Sequence, residues 1–508
     1  MPIPHRSASL RSSLLPEPPA AANFDPANLD PASPADWEQF RLLAHQALDE
    51  AISFVRDVRN RPVWQPVPEA VKAHLAAPLP VQSTALGEVY EDFRANILPY
   101  ATGNIHPRFF GWVHGSGQPG SLIADLMASA MNSNCGGRDH GAIYVERAVL
   151  NWCKQLVGFP AEASGLLVSG TSMANLVAVN VALHHAAPDI RRQGLLAHPR
   201  QLVAYASSEA HSSVGRALEV LGLGSANLRR IPVTDQFQIN LDLLQRAIAA
   251  DRALGLEPFC IVGCAATVNT AAIDDLQALA QIARCENLWF HVDGAFGALL
   301  CLSDQLRSRL AGIEQADSVA FDFHKWAHVQ YDAACVLVRR PGAQRDTFSM
   351  RPVYLEAQEQ GLGAGAVWPC DLGPELSRGF RALKVWFALK QHGTEKLGQM
   401  IEKNVRQAQY LAARIAADPG MELLAPANLN IVCFRLLAPG MDEAALNVFN
   451  KQLVQDVQLA GIAAPSTSRL HGRLAIRVNL TNHRTEDSDL DLLLSALNLA
   501  AAKRLGAA

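Results

Sequence analysis

Between about residue 120 and residue 340, short apolar runs alternate with segments of helical period. "SGLLVSG" precedes "SMANLVAVNVALHHAA", "QLVAYAS" precedes "HSSVGRALEVLG", and "FCIVGCAAT" precedes "DDLQALAQIARCEN". "LWFHVDGAF", "ADSVAFDFH" and "AACVLVRR" complete the series. Runs that are apolar at successive positions read as strands buried on both faces, which is how parallel strands look. Helices between them supply the crossovers, so the pattern predicts an α/β domain with a mostly parallel sheet covered on both sides. In such a sheet, ligands bind at the carboxyl ends of the strands. Candidate functional residues are therefore sought there.

The flanks read differently. Residues 1–35 are rich in Pro and Ala and read as a flexible arm; their Arg and Ser suggest a weak transit peptide, but the prolines break any amphipathic helix. Residues 36–105 read as helical, with "DWEQFRLLAHQALDEAISFVRDV" starting at Asp36 as a possible cap and "STALGEVYEDFRANILPY" following. They hold too little apolar mass for a core and must pack on another domain or subunit. Residues 106–390 form the large domain, and 391–508 a smaller α+β domain with strands "NIVCFRLL" and "RLAIRVNL". Residues 341–379 lack a period and read as a lid or disordered loop. A length of 508 residues suits this division.

Composition excludes several classes. The net charge is −4 with no basic stripe, so neither nucleic acid nor a membrane surface is expected as partner. No apolar run spans a bilayer. The nine cysteines are scattered without zinc-ligand spacing and read as buried thiols in a reducing cytoplasm.

The chemistry begins with "DFHKW". Lys325 leaves a buried strand between His324 and Trp326. A lysine is rarely buried without a partner or a task, and a desolvated amine becomes a nucleophile. Asp293, 32 positions earlier, ends another strand. Alone it could be a helix cap. Together the two fit a pyridoxal 5'-phosphate site, with Lys325 joined to the aldehyde and Asp293 paired with the pyridine nitrogen. Gly170-Thr171-Ser172 lies between a strand and a helix, where backbone N–H groups favour an anion. His211 opens a helix after another strand and could stack on the ring. Thr267 and Thr270 follow a further strand, and Asp274 or Asp275 would cap the next helix. Each element is ordinary by itself; their order along successive strands is not.

With "HVDGAF", "HKW", "HPRFFGWV" and "SRGFRALKVWF", the chain from about His106 to His392 resembles the group II pyridoxal-phosphate-dependent amino-acid decarboxylases, which include aromatic L-amino-acid, histidine and glutamate decarboxylases. The resemblance implies an aspartate-aminotransferase-type fold (fold type I), with a seven-stranded, mostly parallel sheet and a small C-terminal domain. It also implies a homodimer with both active sites at the interface and the N-terminal helices clasping the partner. Lys325 would be the Schiff-base lysine and Asp293 the pyridinium partner, with Ala295 beneath the ring and His211 above it. Thr171 and Ser172 would hold the phosphate, Thr267 would reach the cofactor, and His324 would lie beside the lysine. Trp112 and His114 would face the substrate, and Asn134, Arg138 and His140 would reach across from the partner. Asp322 stands where many members have Asn near the phosphate, a repulsive placement unless the carboxyl is protonated or bonded to His324.

The reaction implied is decarboxylation of an L-amino acid, aromatic preferred, to the amine and carbon dioxide. The alternative is oxygen-dependent conversion to an aldehyde; transamination is the weaker rival. In the family a loop tyrosine is tied to the amine outcome. Here no tyrosine lies between Tyr354 and Tyr410, and Trp368 falls near the expected position.

Overall fold

A computed structural model describes residues 27–350, 358–365 and 367–506. Most of the expected N-terminal arm, up to residue 26, lies outside them. The described chain divides into two compact units. One holds residues up to Asp57 together with Gln82–Glu91; the other holds Val58–Val81 and everything from Asp92 onward.

In the first unit the helix Pro34–Arg56 starts before Asp36. Ser33 is its cap: Oγ accepts the Asp36 N–H at 3.2 Å and its hydroxyl donates to the Asp36 carboxylate at 2.8 Å. Pro34 fits the first helical position because it has no N–H to satisfy. Asp36 therefore sits in the first turn, where a negative charge is favoured, rather than at the cap. The helix buries none of its residues, and Trp37, Phe40 and Leu42 stay about half exposed.

The second unit holds both sheets. Its strands are β1 (Phe109–Phe110), β2 (Ser164–Val168), β3 (Leu202–Ser207), β4 (Leu228–Ile231), β5 (Glu257–Cys264), β6 (Trp289–Asp293), β7 (Ser318–Asp322), β8 (Ala334–Val338), β9 (Met421–Leu423), β10 (Ile431–Leu436), β11 (Ala464–Leu470) and β12 (Arg473–Asn479). The large sheet has the order β2-β8-β7-β6-β5-β3-β4. Only β8 runs against its neighbours. This is the expected seven-stranded, mostly parallel sheet. Side chains alternate between two apolar cores: Val203 and Tyr205 enter one, Leu202, Ala204 and Ala206 the other. Both faces are thus covered, and this is why the strands read as continuous apolar runs. β4 escapes such a reading because its centre is Arg229-Arg230; it is an edge strand and is only partly buried.

The smaller sheet has the order β1-β11-β12-β10-β9. Its β1 comes from the far side of the large sheet in sequence and pairs in parallel with β11. β11, "APSTSRL", is half polar because its far end faces solvent. The helices Glu443–Leu459 and Asp487–Arg504 cover this sheet through Leu453, Val457, Leu493 and Leu497. The long helix Arg381–Ala416 links the two cores and breaks at Gly393, where φ is 66°. Glycine takes that conformation without a steric penalty.

The segment expected to be a lid is partly ordered. It contains the helix Ala343–Phe348 and a turn at Pro369–Asp371. Gln344, fully buried, fastens it: its amide donates to Leu372 O at 2.6 Å and accepts from Ser164 Oγ at 2.7 Å. Residues 351–357 and 366 lie outside the described residues.

Candidate active site

The functional side chains gather at the carboxyl ends of β3, β5, β6 and β7, around a cavity of about 310 Å³. This is the lower end of the range for small-molecule sites. A larger hollow, about 1020 Å³, lies at the amino ends of β5 and β6, with Arg200, Arg252 and Glu257 on its wall. It brings none of the predicted residues together.

"DFHKW" is divided by its packing. Trp326 is fully buried and donates from Nε1 to Asn404 Oδ1 at 3.0 Å. Anchoring the tryptophan inward turns Lys325 into the cavity, where its side chain keeps 21% exposure. His324 lies beside it. Its Nδ1 accepts the Ala333 N–H at 3.2 Å, and the Tyr331 ring sits 4.4 Å away, centroid to centroid. Burial depresses the His324 pKa against the opposing pull of Asp322.

Asp322, the last residue of β7, is 1% exposed. One oxygen accepts the Thr171 N–H at 2.7 Å; the other lies 2.7 Å from Lys325 Nζ. His324 Nε2 is further off, at 3.7 Å. Burial alone would raise the Asp322 pKa, but the charges of Lys325 and His324 and the two short bonds outweigh it and hold the carboxyl below its usual range. The expected choice between a proton and His324 is thus resolved by a third group. The carboxylate is ionised and its partner is Lys325.

The helix Thr171–Ala186 points its N-terminus at the cavity, with Gly170 as a cap that has no side chain to bond and Asp322 accepting the first N–H. Thr171 Oγ1 is buried without a hydrogen-bond partner. A buried hydroxyl left orphaned beside a helix N-terminus is what an absent anion would leave behind. One turn on, Asn175 is fully buried and was not singled out from the sequence. Its amide donates to Asp293 Oδ2 at 2.8 Å and Ser213 Oγ at 3.0 Å, and its oxygen meets His291 Nε2 at 2.9 Å. Position i+4 after Thr171 puts it on the same helical face, and that signal was readable.

Asp293 closes β6 with its other oxygen accepting the Ala295 N–H at 3.2 Å. His211 caps the helix Ser212–Val220: Nδ1 accepts the Ser213 N–H at 3.2 Å, leaving Nε2 to carry the ring proton. Burial lowers its pKa, against Asp293, so the ring is neutral. Thr267, Ala295 and Ser172 also line the cavity, as do Trp112 and His114, whose rings lie 5.9 Å apart. Thr270 is spent on Thr267, 3.2 Å away. Asp275 caps the following helix, while Asp274 is buried and accepts the N–H groups of Ile239 and Cys264.

Asn134, Arg138 and Trp368 do not line this cavity. They form their own cluster, with Asn134 Oδ1 accepting from Gly136 and Arg378 N–H groups and the Arg138 guanidinium 5.0 Å over the Trp368 ring. Trp368 is 2% exposed and donates to Ala364 O at 3.1 Å, so it is a buried support rather than a loop tip.

A buried carboxylate, an amine and a helix N-terminus with an orphaned hydroxyl around one cavity match the three ends of pyridoxal phosphate: pyridine nitrogen, aldehyde and phosphate. The conserved domain of pyridoxal-dependent decarboxylases matches residues 68–437. The chain belongs to this family.

It is similar to an aromatic-L-amino-acid decarboxylase of Bacillus atrophaeus, 34% identical over 457 residues, which span 89% of this chain and 93% of that one. A phenylacetaldehyde synthase of Petunia hybrida is 26% identical over 93% of this chain and 96% of its own length. The Oryza sativa TDC structure with PLP and tryptamine superposes with a TM-score of 0.86 at 25% identity, covering 95% of this chain and 100% of that one. The protein is a pyridoxal-phosphate-dependent amino-acid decarboxylase, a carboxy-lyase of fold type I. Among the described residues no helix of this decarboxylase is long and apolar enough to cross a membrane.

Proposed function

We propose that this decarboxylase converts an aromatic L-amino acid to its amine and carbon dioxide, with Lys325 as the lysine that carries the cofactor. The observation that carries the site assignment is the meeting of Lys325, Asp293 and the orphaned Thr171 hydroxyl around one cavity. When bound, pyridoxal phosphate supplies an aldehyde for the substrate amine and a ring that takes up the electron pair left by the departing carboxylate.

The chain's own residues do the rest. Thr171, Ser172 and the helix N-terminus bind the phosphate. Asp293, oriented by Asn175 and the Ala295 N–H, holds a proton on the pyridine nitrogen. His211, Ala295, Thr267 and His324 line the same cavity and would hold the ring when the cofactor is bound. His211, neutral and carrying its proton on Nε2, is the candidate donor to Cα. The aromatic preference is supported by the ring-lined wall of Trp112 and His114 and by the B. atrophaeus relative.

Two features support a homodimer with sites at the interface. The helix Pro34–Arg56 leaves Trp37 and Phe40 uncovered, and Asn134 and Arg138 have no place in their own chain's cavity. The domain division read from the sequence, with 36–105 against the partner, 106–390 for the cofactor and 391–508 small, belongs to the same proposal. Nine cysteines, seven of them buried, support a cytoplasmic setting.

A second reading is favoured by the tyrosine-free stretch between Tyr354 and Tyr410 and by the Petunia relative. There the amino acid, oxygen and water give aldehyde, carbon dioxide, ammonia and hydrogen peroxide. The test is product analysis over a panel of amino acids. Amine and carbon dioxide in equal amounts from aromatic substrates support the proposal. Stoichiometric peroxide and ammonia would replace it with the aldehyde reaction.

A further inference from the structure

Asp322 is the one fully ionised, fully buried carboxylate that bridges the amine and the anion cradle, and the proposed reaction does not use it. Its two oxygens are both committed at 2.7 Å, one to the Thr171 N–H and one to Lys325 Nζ. The first contact occupies a backbone donor at the start of a sixteen-residue helix, beside the orphaned Thr171 hydroxyl. The second ties up the amine that an aldehyde would have to reach.

We propose that Asp322 is a positioning residue that opposes cofactor entry, by pairing with the Lys325 amine and by placing a negative charge at the helix N-terminus that receives the phosphate. The inference rests on the assignment of Lys325 and Thr171 to the cofactor. Entry then requires two changes together: Lys325 leaves its carboxylate partner, and the phosphate is accepted near a carboxylate already bonded to Thr171. Like charges a few ångströms apart repel strongly where water is excluded. Uptake is therefore slowed while Asp322 holds both partners.

The other ionisable groups facing this pair do not remove the effect. His324 stands 3.7 Å from Asp322, and burial keeps its pKa low. His114 and His211, from two further segments, are also held low by burial, and the Lys325 charge acts on both in the same direction. Asp293 lies across the cavity and is tied to Asn175. Tyr331, over His324, has its pKa pushed up to about 12 by burial and by Asp322. Asp322 is left as the group paired with Lys325.

Asp322→Asn tests this. The amide oxygen can still accept from Thr171, but the side chain carries no charge and the ion pair with Lys325 is lost. The readout is the rate at which the full-length protein, stripped of cofactor, gains its visible absorbance on adding pyridoxal phosphate. Uptake by D322N is expected to be about tenfold faster. Equal or slower uptake would overturn the proposal. Asp322→Ser, neutral and smaller, replaces D322N if circular dichroism shows the amide variant misfolded. Borohydride reduction followed by peptide mass measurement separates the two levels of inference. Cofactor fixed on Lys325 in the wild-type chain, with no difference in D322N, sinks this proposal alone. Cofactor fixed elsewhere sinks the site assignment as well.

Discussion

Lys325 and Asp293 occupy similar strand ends but have different tasks, and substitution separates them. Lys325→Ala removes the only amine among the described residues that line the cavity. Turnover is expected to fall to background and borohydride fixation to disappear, while far-ultraviolet circular dichroism stays unchanged. Asp293→Asn keeps the shape and loses the charge. Turnover is expected to drop by about 10²-fold with cofactor content near normal, measured by absorbance. A normal rate in Asp293→Asn would leave Asp293 as a mere strand-end contact. His291 carries a pH prediction. It is fully buried between Asn175 and Ser318, and burial lowers its pKa from 6.5 to about 4. A depressed base binds fewer protons folded than unfolded, so its contribution is complete above pH 6.5 and is lost as pH falls toward 4. The loss is roughly 3 kcal/mol. Thermal melts between neutral and mildly acid pH should show a steeper decline for the native chain than for His291→Gln.

At the scale of elements, the helix Thr171–Ala186 connects the cradle to the ring partner. It presents Thr171 to the cavity and, one turn later, Asn175 to Asp293 and His291. Asn175→Ala leaves buried polar groups unpaired, at a cost of about 1–3 kcal/mol. Lower stability together with a lower turnover number at unchanged cofactor content is the expected result, and unchanged turnover would show that Asp293 needs no such support. The turn Pro369–Asp371 and the Trp368 before it are packed in place. Trp368 packs its indole against Gly137, with Arg138 above it. Trp368→Tyr is therefore expected to lower the melting temperature while leaving the amine-to-aldehyde ratio unchanged, read by chromatography. A changed ratio would place this segment over a partner's site.

For the whole molecule, the prediction is complementation. Mixed subunits of Lys325→Ala and Arg138→Ala, each inactive alone, should recover up to about a quarter of native activity, since one site in a mixed dimer escapes both lesions. Verified mixed dimers without recovery would mean that Arg138 serves its own chain.

Much of this was written in local sequence. Apolar strands between helices announced the parallel sheet, because strands buried on both faces must be apolar at every position. The order Gly170-Thr171-Ser172, His211, Thr267, Asp293, Lys325 announced that these residues would meet at one cavity, because each follows its strand and strand ends in one sheet converge. Local sequence could not announce elements whose stability comes from elsewhere. The edge strand β4 carries two arginines, and β1 exists only because β11, some 350 residues on, pairs with it. Nor could spacing tell that Asp322 would bond Thr171 and Lys325 rather than His324, or that Trp368 would be buried against Gly137. Pattern sets which residues reach a strand end. Only the packed neighbours fix the distances, and at 2.7 Å against 3.7 Å the distance determines which pair forms.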